Sequence, residues 1–213
     1  MSIPSSPVPF VALVPMKLLA VGKSRLTGIS DTLRRDLAVA FALDTLAAAL
    51  ATPAVGEVVV VTGDPEVAAH AHRLGCTVEP DTGDLNGCLQ AAAAALAPRR
   101  PGTLPFALCA DLPALDPDDL GRALAQVTPD SPAFVADHDG VGTTLYAAAY
   151  HRFDPRFGIG SRAAHLAAGA VEVGGDLVRL RSDVDEMADL QTLEALGLLG
   201  PHTSTVLAGA ATP

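Results

Sequence analysis

The chain has 213 residues, with 14 Lys and Arg against 24 Asp and Glu and a formal charge of −10. Apolar residues make up 49 % and charged residues 18 %, a globular composition far from that of disordered chains. The acidic balance argues against nucleic acid or an anionic membrane as partner, and no apolar run reaches the roughly 18 residues of a membrane span.

Phe10-Val11-Ala12-Leu13-Val14 is an unbroken apolar run, as expected of a strand buried on both faces. A long helix is expected over 31–50, with Ser30 or Asp31 as its N-cap, then a β-branched strand over 57–62. A helix over 67–74, a short strand over 76–79 and an Ala-rich helix over 85–96 follow. The next buried strand covers 105–110 and runs into Asp111-Leu112-Pro113; Asp116 then caps a helix reaching about Val127. Strands over 133–136 and 144–148 flank a glycine loop, Asp139-Gly140-Val141-Gly142-Thr143. A helix over 161–168, a strand over 177–180 and a helix over 187–196 complete the pattern. The residues from Pro201 on are small and polar and read as a frayed tail.

Strand and helix alternate with short connections. This predicts an α/β fold with a mostly parallel central sheet, helices on both faces, a single domain over 1–200 and a flexible tail over 201–213. Cys76, Cys88 and Cys109 are odd in number and lack C-x-x-C spacing, which fits a reducing compartment and not structural zinc. Residues 1–16 also lack the basic start of a secretory signal, so a soluble, cytoplasmic protein is expected.

Of the 14 basic residues only Lys17 and Lys23 are lysines, both in one stretch after the first strand. A solvated loop would tolerate them by chance; compact ammonium groups set close together also suit a polyphosphate. In open α/β sheets ligands bind beyond the carboxyl ends of the strands. There the lysine loop, Asp111, the glycine loop and Asp183-Val184-Asp185 should converge. Asp111 alone reads equally as a helix cap or a metal ligand, and so do Asp183 and Asp185, which alternate across Val184 and so share a side. Together with the lysine loop they suit a magnesium-bound nucleoside triphosphate.

Other chemistries fail at particular residues. Lys17 stands where a P-loop needs its first glycine, and Leu145 where a dinucleotide fingerprint needs its third. There is no G-x-S-x-G, and the six histidines (His70, His72, His138, His151, His165, His202) contain no H-E-x-x-H pair and read as surface or core residues.

Val14-Pro15-Met16-Lys17 through Gly22-Lys23-Ser24-Arg25-Leu26 resembles the opening motif of the phospholactate/phosphoenolpyruvate guanylyltransferases that make the precursor of the deazaflavin coenzyme F-420. Val60-Val61-Thr62-Gly63-Asp64, Leu85-Asn86, Cys109-Ala110-Asp111-Leu112-Pro113, Gly142-Thr143-Thr144, Phe157-Gly158-Ile159-Gly160-Ser161 and Asp183-Val184-Asp185 continue the resemblance in family order over about residues 10–195. Asp84 departs from it, standing where a glycine is expected before Leu85-Asn86.

The resemblance implies a GT-A-like nucleotidyltransferase that transfers GMP from GTP to the phosphate of phosphoenolpyruvate. The products would be enolpyruvoyl-2-diphospho-5'-guanosine and pyrophosphate. It assigns Lys17, Lys23 and Arg25 to catalysis and the GTP phosphates, and Asn86 to the nucleotide. Asp111, Asp183 and Asp185 would hold Mg2+, and Thr143, Gly158 and Ser161 the acceptor. Transfer to 2-phospho-L-lactate or 3-phosphoglycerate, a sugar-nucleotide transferase, and a non-catalytic nucleotide-binding module are the alternatives. A homodimer is left open.

Overall fold

The computed structural model describes residues 9–16 and 25–210. Lys17 and Lys23 therefore lie outside the described residues.

Strand β1 (Phe10–Pro15) lies between parallel β2 (Val55–Val61) and parallel β4 (Leu104–Leu108). The full order is β3-β2-β1-β4-β6-β5-β7, where β3 is Thr77–Glu79, β5 Ala133–Ala136, β6 Thr143–Ala147 and β7 Val171–Glu172. β6 is antiparallel to both its neighbours, β4 and β5, so β5 and β6 form a hairpin in an otherwise parallel sheet. The chain leaves β1 toward β2 on one side and enters β4 on the other. That reversal opens a crevice at the carboxyl ends of β1 and β4.

The unbroken apolar runs of β1, β2 and β4 are explained by burial on both faces. Ala12, Val14, Val58, Val60, Phe106 and Leu108 fill one layer, and Val11, Leu13, Val59, Val61 and Ala107 the other. A third cluster lies outside the sheet and joins α1 (Asp31–Ala51) to α7 (Met187–Ala195) through Leu37, Phe41, Leu190 and Leu193. Leu26 and Val184 are also fully buried in it. These two anchor the ends of the segments that carry Arg25 and Asp183.

Two elements differ from the sequence expectation. The expected strand over 177–180 is a short helix, α6 (Val178–Arg181), because the Asp119 carboxylate accepts from the N–H groups of Arg179 (2.8 Å) and Leu180 (3.3 Å). The expected flexible tail is helix α8 (Pro201–Ala210), packed against α1. The buried Asp44 of α1 caps it, accepting from the His202 and Thr203 N–H groups (both 2.9 Å) and the Thr203 hydroxyl (2.7 Å). Among the described residues no helix is long and apolar enough to cross a membrane.

Candidate active site

Asp111 lies three residues beyond the end of β4, and its backbone carbonyl accepts from the Val184 N–H at 3.0 Å. That single bond brings the 183–185 segment to the carboxyl end of β4. Because Val184 is buried, its two neighbours turn the other way, and the expected convergence of Asp111, Asp183 and Asp185 is present.

The crowding has a measurable consequence for Asp183. Burial, then the negative charges of Asp111, Asp185 and Asp137, push its carboxyl up from 3.8 to about 7. Arg25 reaches the same edge, its Nη1 lying 3.3 Å from Asp185 Oδ2. His138 adds a ring nitrogen 3.7 Å from Asp183 Oδ1. Arg25 thus meets the acidic edge.

The three carboxylates do not amount to a closed cage: among the described residues no three His, Cys, Asp or Glu side chains are placed to hold an ion alone. Magnesium typically takes one or two carboxylates and completes its shell with phosphate oxygens and water. Crowded carboxylates that shared an ion with phosphate oxygens would fit that donor set, whereas a fully protein-ligated cation would not.

Glycines shape the opposite wall. Asp137 folds the loop between β5 and β6 by accepting from the Val141 (2.9 Å) and Gly142 (2.7 Å) N–H groups. A Cβ on Gly142 would lie 2.2 Å from Asp137 Oδ2, so this position requires glycine. The loop delivers Thr143 to the start of β6. Gly158 has φ +137 and nothing within 4 Å of an added Cβ, so backbone conformation, not crowding by the protein, accounts for it. The N-cap of α5 (Ser161–Ala167) is Gly160, at φ 70, not Ser161. Ser161 is instead the first residue inside the helix and is buried.

Two residues tie these segments together, and neither role was visible in the sequence. Asn86, in the first turn of α3 (Leu85–Leu96), gives its Nδ2–H to the Phe157 carbonyl (2.9 Å) and accepts from the Phe157 N–H at Oδ1 (2.8 Å). Its amide thus holds the loop before Gly158, a use different from the nucleotide contact that the resemblance assigned to it. His165 of α5 lies between Thr143 Oγ1 (3.0 Å) and the Arg156 N–H (2.9 Å). Burial and the Arg156 charge push it down from 6.5 to about 4. Only tertiary structure distinguishes it from the other five histidines. Asp84, the departure from the expected glycine, is the N-cap of α3 and accepts from the Gly87 N–H (2.9 Å).

Arg25, the crowded carboxylates and the glycine loops thus gather at the carboxyl edge of the sheet. Comparison with known proteins gives the family. A MobA-like NTP transferase domain matches residues 18–179. The chain is 48 % identical over 200 residues to a phosphoenolpyruvate guanylyltransferase of Thermomonospora curvata, covering 92 % of this chain and 87 % of that one. The chain belongs to the phosphoenolpyruvate guanylyltransferase family. A Streptomyces avermitilis member is also 48 % identical, with 92 % of this chain and 93 % of the relative covered.

The family's fold recurs in more distant proteins. A structure from Desulfovibrio desulfuricans G20, described as a nucleotide-diphospho-sugar transferase, superposes with TM-score 0.71 at 15 % identity, covering 94 % of both chains. A nucleotidyl transferase from Methanothermobacter gives 0.63 at 19 % identity, covering 88 % of this chain and 97 % of that one. The guanylyltransferase family therefore shares the GT-A-like nucleotidyltransferase fold expected from the sequence.

Proposed function

We propose that this chain transfers GMP from GTP to the phosphate of phosphoenolpyruvate, as a cytoplasmic step toward the precursor of coenzyme F-420. The observation that carries the reading is the contact of Arg25 with Asp185, beside the crowded Asp183 and Asp111, in a chain 48 % identical to phosphoenolpyruvate guanylyltransferases. An acceptor phosphate oxygen attacks the α-phosphorus of GTP. The new P–O bond forms as the bond to the bridging α–β oxygen breaks, and pyrophosphate leaves with that electron pair. A phosphate monoester has its second pKa near about 6, so the nucleophile is ionised at neutral pH and needs no general base.

The work of the site is then to hold two polyanions in line and to neutralise the leaving group. Arg25, with Lys17 and Lys23, holds the GTP phosphates. Asp111, Asp183 and Asp185 would hold Mg2+, which when bound would supply charge neutralisation at the reacting phosphates, and Asp185 also meets Arg25. Thr143, Ser161 and the backbone at Gly158 hold the acceptor by short hydrogen bonds, since phosphoenolpyruvate offers almost no apolar surface.

Pyrophosphate release from GTP with magnesium, measured with phosphoenolpyruvate, 2-phospho-L-lactate and 3-phosphoglycerate in parallel, tests the reading. Turnover with phosphoenolpyruvate well above the others is expected. Preference for another acid reassigns the acceptor, and no release with any of them overturns the transfer.

A further inference from the structure

We infer that His165 is a positioning residue for the acceptor: as the neutral Nδ1–H tautomer it orients the Thr143 hydroxyl toward the acceptor's oxyanion and fixes the backbone leading into Gly158. The inference rests on the acceptor-site reading above and deepens it.

The tautomer follows from the partners. A backbone N–H can only donate, so the Arg156 N–H, 2.9 Å from Nε2, makes Nε2 the bare, accepting nitrogen. A neutral imidazole has one donor and one acceptor, so Nδ1 carries the proton and offers it to Thr143 Oγ1 at 3.0 Å, with the Ser161 backbone as a further partner of the ring. The hydroxyl's own proton is then not used on the ring. A hydroxyl has one proton and two lone pairs, and with one lone pair taken the proton is directed to another acceptor. Among the described residues no protein acceptor takes it. An anionic substrate oxygen would.

The ring is held in this pose from both faces. Phe134 stacks at 5.3 Å and Tyr146 at 4.8 Å between centroids, while Phe157 meets it edge-on at 5.8 Å. A flip would put ring carbons where Nδ1 and Nε2 now stand and lose both bonds, and double protonation would set Nε2–H against the Arg156 N–H, donor to donor. An apolar ring would fill this slot without the cost of burying two polar nitrogens. Both nitrogens are instead spent on segments of the acceptor recess.

Two measurements on the full chain test this. In 15N-labelled wild-type protein, the two ring nitrogens of His165 should report Nδ1–H at pH 6 to 8, and adding phosphoenolpyruvate should move the Nδ1–H proton resonance. An Nε2–H ring, or no movement at a saturating acceptor concentration, overturns the inference. In kinetics, Thr143→Val should raise the acceptor KM on the order of tenfold to a hundredfold, the range for losing a hydrogen bond to a charged group, and Thr143→Ser should restore it. His165→Phe keeps the stack and removes both bonds. It should raise the acceptor KM, spare the GTP KM, and in the double variant lose less than the product of the two single losses, the part beyond Thr143→Val coming from the Arg156 bond. A lowered melting temperature with unchanged acceptor KM, or losses that multiply in the double variant, would make His165 structural only. If Thr143→Val itself leaves the acceptor KM unchanged while the tautomer stands, the acceptor-site reading fails. If His165→Phe does not fold, the resonance measurements on the wild-type chain still decide.

Discussion

Burial, and then the neighbouring negative charges of Asp111, Asp185 and Asp137, raise the Asp183 carboxyl to about 7. Such crowding opposes folding, and on the proposed reading it is kept for the reaction. Asp183→Asn removes one negative charge from the cluster while keeping its shape. In chelator-treated protein its melting temperature should equal or exceed the wild type's, while transfer falls on the order of a hundredfold or more, as for other lost electrostatic stabilisers. A lower melting temperature together with full activity would contradict both halves. His165 gives the opposite pH sign from an ordinary paired histidine. Its folded value of about 4 lies below the unfolded 6.5, so the unfolded chain takes up its proton first as pH falls. Stability should therefore drop between pH 6.5 and 4 and level below it. Thermal melts across that range should show a shallower decline in His165→Phe than in wild type.

At the scale of elements, α8 depends on one buried carboxylate. Asp44 accepts three hydrogen bonds at the α8 N-terminus, and a Cβ on Gly200 would lie 2.4 Å from Asp44 Cγ, so cap and entry turn are fitted to each other. Asp44→Ala should cost about 2 kcal/mol, the upper end for a lost N-cap, read by urea unfolding, with both KM values unchanged. The same helix marks the limit of what local sequence conveys. Its small, polar residues have no clear apolar face, and its cap lies 158 residues away in α1. α6 was misread for a related reason: Val-Arg-Leu-Arg alternates like a strand, yet Asp119, from a distant helix, satisfies its first N–H groups. By contrast β1, β2, α1 and α3 carry their apolar runs, caps and stops locally, and they form where the sequence places them. The acidic edge was legible because strand-end residues collect at one edge of a parallel sheet. The positioning roles of Asn86 and His165 were not, since both depend on partners brought near by folding.

Across the whole molecule, the sheet has two halves at its carboxyl edge. On the proposed reading β1, β2 and the helix α3 serve the nucleotide side, and β4, β6 and β5 the acceptor side. The two hydrogen bonds from Asn86 to the Phe157 backbone are side-chain links across that divide. Asn86 belongs to a nucleotide-side helix, so position in the sheet alone suggests a GTP contact. Its amide, however, already has one N–H and one lone pair of its oxygen committed to Phe157, which fixes the group toward that loop. Losing both bonds frees the loop that ends at Gly158, on the acceptor side. Asn86→Ala should therefore raise the acceptor KM on the order of tenfold, with a GTP KM changed less than about twofold. Steady-state kinetics varying each substrate in turn separates the possibilities. A selective rise in the GTP KM would return Asn86 to the nucleotide, and equal rises in both would make the link a support for the whole edge.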